Sequence, residues 1–132
     1  MRHIPEAHSL ARHANITSEF IRWLRVEGHS LVAAARLLGG SAWAKRAEDV
    51  VKTARAGHDV AARRADLLAL RKLLHLEFTS QLESGEALRF ALPDPDDPRA
   101  EEAQLCAEAL DRGVRALEAL RLVGVVNLRE TA

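Results

Sequence analysis

Six histidines, one cysteine and several arginine-rich runs are the side chains of this 132-residue chain whose types suit chemistry. His3, His8 and His13 recur every five residues, which on a helix sets consecutive ones about 140° apart. They cannot converge as ligands at i and i+4 do. His29 and His58 each stand beside a glycine and are expected in solvent, while His75 lies among leucines and is expected to pack there in a partly buried position. No HExxH, Glu-x-x-His or Cys/His pair occurs, so spacing assigns no metal ligands. Cys106 falls on the apolar stripe of its predicted helix, where a free thiol behaves as a small hydrophobe, and QLCAEAL around it offers nothing to lower its pKa. Asp94, Asp96 and Asp97 alternate with prolines as a solvated turn and lack the spacing of a calcium loop. No phosphate-cradling or dinucleotide glycine motif is present. The sequence therefore assigns no catalytic residue, no cofactor and no metal.

Charge is the more informative chemistry. Residues 1–75 hold 13 Lys/Arg and 7 Asp/Glu, whereas residues 76–132 hold 6 and 12, so a net charge of zero hides two halves of opposite sign. Each half can attract a different partner, or the two can attract each other. The cations with suitable spacing for a partner or for nucleic acid are Lys45, Lys52 and Arg55, and the later run Arg63, Arg64, Arg71 and Lys72. Sixteen Arg against three Lys suits phosphate recognition through bidentate guanidinium forks, but with abundant Ala it is more simply expected from a GC-rich, bacterial genome. Aromatics are too few to stack single-stranded bases. One cysteine excludes an intrachain disulfide and suits a reducing cytoplasm. No apolar run approaches the roughly 20 residues of a membrane span, and MRHIPEAHSLARH lacks the apolar core of a secretory signal.

The elements that must position these groups are all helical, and the length suits one domain covering 1–132. Pro5 opens a short helix over about 5–13. Asn15 and Thr17 cap a second over 18–27, which Gly28 stops. Ser30 caps a third at 31–38, and Gly39-Gly40 ends it. Ser41 caps a fourth at 42–56, with Trp43, Ala44, Ala47, Val50, Val51 and Ala54 on one face. Lys45, Glu48, Asp49, Lys52 and Arg55 face the other way, with Lys45–Asp49 and Glu48–Lys52 spaced for ion pairs. Asp59 caps a long helix to about Glu83, whose leucines (67, 68, 70, 73, 74, 76) surround it and make it the expected central helix or a subunit interface. The linker 92–98, LPDPDDP, delivers Asp97 as cap and Pro98 as first residue of a last helix over 98–122, antiparallel to the long one. Gly124 ends it, leaving a tail that is loose or docked through Val125 and Val126. This predicts an all-α bundle of five to six helices.

Within 18–56, AAARLLGGSAWAKR loosely resembles a helix-turn-helix, with Ala35 at the small inner position, Gly39 at the turn and Ser41 opening the second helix. It departs from that pattern at Gly40 and Lys45, where aliphatic residues are usual, and Glu48 and Asp49 accompany the cations on the exposed face. The expected function is a non-catalytic helical interaction module, a small subunit or adaptor of a larger cytoplasmic assembly or a homo-oligomer. A DNA- or RNA-binding regulator using residues 18–56 is the first alternative, and a small-molecule- or metal-binding helical enzyme the second. Antiparallel packing of the last two helices predicts that Asp111 and Glu118 approach Arg63 and Arg64.

Overall fold

A computed structural model describes residues 3–75 and 97–131, with side chains over 10–75 and 97–122. Among these residues there are four α-helices and no strand: α1 (His3–Gly39), α2 (Ser41–Arg55), α3 (Arg64–Leu74) and α4 (Pro98–Thr131), with a 3-10 turn, Val60–Arg63, ahead of α3. The expected count of five to six is not met, because the three helices expected before Gly39 are one. Asn15, Thr17 and Ser30 are cap formers by type, yet all three lie inside α1, where Ser30 is buried. The break expected at the end of 18–27 is present as a kink: Glu27 is non-helical (φ −109°, ψ 15°), and the helical segments on either side of it run on as one element, α1. Gly28, next to the kink, lets α1 approach α2 so closely that a Cβ there would stand 2.6 Å from Val51 Cγ1. The Arg55 side chain braces the kink, donating from Nε to the Arg25 carbonyl oxygen at 3.3 Å, an inserted donor of the kind that bends helices.

Gly40 alone joins α1 to α2. Its φ of +87° is costly for residues with a Cβ. It occupies the N-cap position expected for Ser41, and no side chain caps α2. The far end of α2 closes on Gly57 (φ +76°), with Gly57 N–H donating to Ala54 O and His58 N–H to Thr53 O, a Schellman arrangement. Asp59 caps as expected, but its carboxylate receives Ala61 N–H at the 3-10 turn and not at a long α-helix. Described structure in α3 ends at His75, so Leu76 and the remainder of the expected 59–83 helix lie outside the described residues, as does the linker as far as Asp96.

The four helices form a ring in chain order, closed by α1 against α4. Phe20, Leu24 and Leu31 of α1, Val50 and Val51 of α2, Leu67, Leu70 and Leu73 of α3, and Cys106, Leu110 and Val114 of α4 share one core. The central element is α1, which packs on all three others; α3 buries Leu67, Leu70, Leu73 and Leu74 on one side and leaves Leu68 half-buried. The face expected for α2 is borne out, with Ala44, Ala47, Val50, Val51 and Ala54 buried. The start of α4 also follows expectation: Asp97 Oδ1 accepts Arg99 N–H at 2.9 Å, and Pro98 is the first helical residue. Its end does not, because α4 runs through Gly124 to Thr131, and the segment expected as a tail is helical.

Candidate functional site: a cationic cleft between α1 and α2

Of the seven candidate cations, Arg63, Arg64 and Arg71 are engaged within the fold, Lys45, Lys52 and Arg55 are exposed on α2, and Lys72 is exposed on α3. Arg64 holds Glu118 by two hydrogen bonds, Nε to Oε1 at 2.6 Å and Nη2 to Oε2 at 3.2 Å. Arg71 and His75 each stand 3.9 Å from Asp111, which also receives Arg115 at 3.1 Å. The antiparallel pairing of α3 and α4 is therefore as expected for Glu118 and Arg64. Asp111, however, meets Arg71, one helical repeat further on, and not Arg63. Arg63 turns back to Thr53 Oγ1 (3.1 Å) and Asp66 (3.9 Å). His75 is not a packing residue; it is an exposed C-cap of α3.

Lys45 and Lys52 remain available to a partner, while Arg55 lines the cleft with its Nε held by the Arg25 carbonyl oxygen. Lys45 and Lys52 are seven residues apart on the exposed side of α2, make no ion pair among the described residues, and lead to Arg55 in the last turn. The neighbouring face of α1 adds Arg22, Arg25 and His29, all exposed and at i, i+3 and i+7. Sequence inspection missed these: Arg22 and Arg25 precede the kink at Glu27 and His29 follows it, so no single helical stripe in the sequence links them. Between the helices lies a cleft of about 410 Å³, lined by His29, Val32, Glu48, Val51, Lys52 and Arg55. Val51 is buried and Val32 half-buried, so the floor is aliphatic and the walls are cationic.

Two carboxylates temper the charge. Glu48 stands 3.8 Å from Arg36, and Glu27 stands 3.8 Å from His29. Both pairs are solvent-exposed and long, and such contacts contribute little. The i,i+4 pairs expected on α2 do not form, since Glu48 reaches across to α1. Even so, residues 10–56 hold eight Lys/Arg against four Asp/Glu, and the cleft inherits that excess.

The arms of this hairpin run antiparallel, with Arg25 beside Arg55, Gly28 against Val51 and Arg36 near Glu48. In a helix-turn-helix the two helices cross at roughly 90–120°, and here they lie alongside each other. Trp43 is committed to the hairpin: it fills the space beside Gly39 and carries Arg46 above its ring at 4.9 Å. Arg46 in turn donates to Asp66 at 2.9 Å, tying α2 to α3. Cys106 is buried, and its thiol is pushed up to about 11, first by desolvation and then by Glu102 and Glu27. That holds it as a neutral, unreactive SH. Among the described residues no three His, Cys, Asp or Glu converge, and no helix is long and apolar enough to cross a membrane. Compared with known protein families, curated proteins and solved structures, the chain matches none.

Proposed function

We propose that this chain is a non-catalytic helical interaction module, a small subunit or adaptor of a larger assembly, whose α1/α2 cleft receives an acidic amphipathic helix of a protein partner. The observation that carries this reading is the pairing of an aliphatic floor, Val32 and Val51, with walls of Lys52, Arg55 and His29. A helix laid in a groove buries its apolar stripe and presents its flanking charges to the rim. Carboxylates at those flanks meet Lys45, Lys52 and Arg22, which have no ion pair among the described residues. Rim charges of this kind set orientation and association rate more than affinity. The lone buried thiol suits a reducing cytoplasm.

A synthetic acidic amphipathic helix and a mixed-sequence DNA duplex, each titrated at low salt, test the reading. The peptide is expected to bind, and Lys45→Glu with Lys52→Glu to weaken it by about tenfold. Lys72→Glu, on α3, is expected to leave binding unchanged. Failure of the peptide to bind, or equal loss from Lys72→Glu, overturns the cleft assignment. Binding of the duplex with a steep salt dependence, sensitive to the same two lysines, replaces it with nucleic-acid recognition.

A further inference from the structure

On the opposite side of the bundle, the chain enters α3 through the 3-10 turn Val60–Arg63. That turn presents small side chains, Ala61 and Ala62, where a full helical turn with larger residues would fill the angle with α4. A cleft of about 250 Å³ opens there, floored by Ala61, Leu67, Leu68, Val114 and Leu117. Leu67 and Val114 are almost wholly buried, and Leu68 and Leu117 close the sides half-buried. Among the described residues its polar side chains are Arg64, Glu118 and Arg121. Arg64 and Glu118 neutralise each other through their two hydrogen bonds. Arg121 is exposed and close enough to Glu118 to feel its charge, but forms no ion pair among the described residues, so two arginines face one carboxylate and the rim retains one net positive charge beside an aliphatic floor.

We infer that this cleft binds a small aliphatic monocarboxylate, its chain on Leu67, Leu68, Val114 and Leu117 and its carboxylate on Arg121. The charge count calls for a monoanion, because a dianion would leave a negative charge beside Glu118. The volume lies below the roughly 300–1,000 Å³ of sites for drug-sized ligands, which limits the occupant to a short chain. Among the described residues no aromatic or further hydrogen-bonding group lines the walls, and the described lining offers nothing to select a ring or a polyol.

The test is a titration of the full chain with butyrate, hexanoate and octanoate, and with octanol as the uncharged comparator, followed by backbone amide shifts in NMR. Affinity is expected to rise roughly fourfold for each added methylene until the floor is covered, the transfer free energy of a methylene group. Shifts are expected to cluster at Leu68, Leu117 and Arg121. Arg121→Gln is expected to bring octanoate down to the affinity of octanol. Ala61→Phe, a substitution at an exposed position that fills the cleft, is expected to abolish both while leaving the melting temperature unchanged. Equal binding of octanol and octanoate to the native chain, shifts elsewhere, or binding that survives Ala61→Phe with the fold intact overturns the inference. None of these outcomes bears on the α1/α2 cleft, whose lysines lie on another face.

Discussion

Arg64 and Glu118, 54 residues apart in sequence, are joined by two side-chain hydrogen bonds that set the register of α3 against α4. The same register brings Arg71 to Asp111 one helical repeat away. Arg64 lies above the ordinary arginine value because of its hydrogen bond to Glu118, and the same bond holds Glu118 below the usual carboxylate value. A carboxylate depressed in the folded state adds stability that is present above its unfolded pKa and is lost as pH falls through the folded one. Acid unfolding of the native chain should therefore steepen below about pH 4.5, the ordinary glutamate value, and Glu118→Gln should flatten that part of the curve. Arg64 is exposed and Glu118 half-buried, so the effect is partly screened by water and salt and stays small. Arg64→Glu should lower the melting temperature at low salt, and the exchanged pair Arg64→Glu with Glu118→Arg should recover most of the loss.

Two glycines inside helices mark where backbones meet side chains. A Cβ on Gly113 would overlap the Phe20 ring, and one on Gly28 would overlap Val51. Neither glycine has a left-handed φ, so the constraint is space and not conformation. Gly113→Ala should destabilise by about 1–3 kcal/mol, the usual range for overpacking, even though alanine is the better helix former. Gly28→Ala should behave likewise, and adding Val51→Ala should return part of the loss. Denaturant midpoints of the two single variants and the double variant measure this. An unchanged or higher midpoint for Gly113→Ala would show that the α1/α4 seam is looser than described.

Cys106 supplies a pH signature of the opposite sign. Its thiol is raised from 9.0 to about 11 in the folded chain. An acid whose pKa is raised by folding adds stability that is present below the unfolded value and is lost as pH climbs toward the folded one. Stability should fall between pH 9 and pH 11, and Cys106→Ala should remove that alkaline component. Thiol reagents should label the native protein at neutral pH only as fast as it opens. Cys106→Ser, which puts a hydroxyl on the same apolar stripe, should cost about 1–3 kcal/mol if no partner reaches it.

The helical class, the buried face of α2, the Asp97-Pro98 start of α4 and the antiparallel sense of α3 and α4 were legible in the residues themselves. Each rests on a local signal: a 3.6-residue apolar stripe, a cap followed by proline, or charges repeating at helical spacing. Thr17 and Ser30 were misleading for a physical reason. A hydroxyl residue caps only where the chain turns, and no local signal tells a turn from a continuous helix that tolerates one. Thr17 Oγ1 is in fact buried with no hydrogen-bond partner among the described residues. Gly28 marked a real break, the kink at Glu27, and also a close approach to Val51, since both call for glycine. The cationic cleft was half visible: its α2 wall was named, but its α1 wall depends on how α1 runs on past the kink at Glu27 and on the one-residue connection at Gly40. The small cleft beside Ala61 was not visible at all, because it arises from a 3-10 turn where a regular helix was expected.

The engagement of Arg63, Arg64 and Arg71 on one side and the exposure of Lys45, Lys52, Arg22 and Arg25 on the other have a colloidal consequence. Pairing on α3 consumes Glu118 and Asp111, while Lys45, Lys52, Arg22 and Arg25 remain exposed on one side and Glu101 and Glu108 on the outside of α4. Among the described residues this sorting by face, to which Lys72, Arg112 and Arg121 are exceptions, gives the molecule an electric dipole. Such molecules stack head to tail when nothing screens them. Solubility should therefore be lowest near neutral pH in pure water and rise on addition of simple salt, the reverse of what apolar association would give.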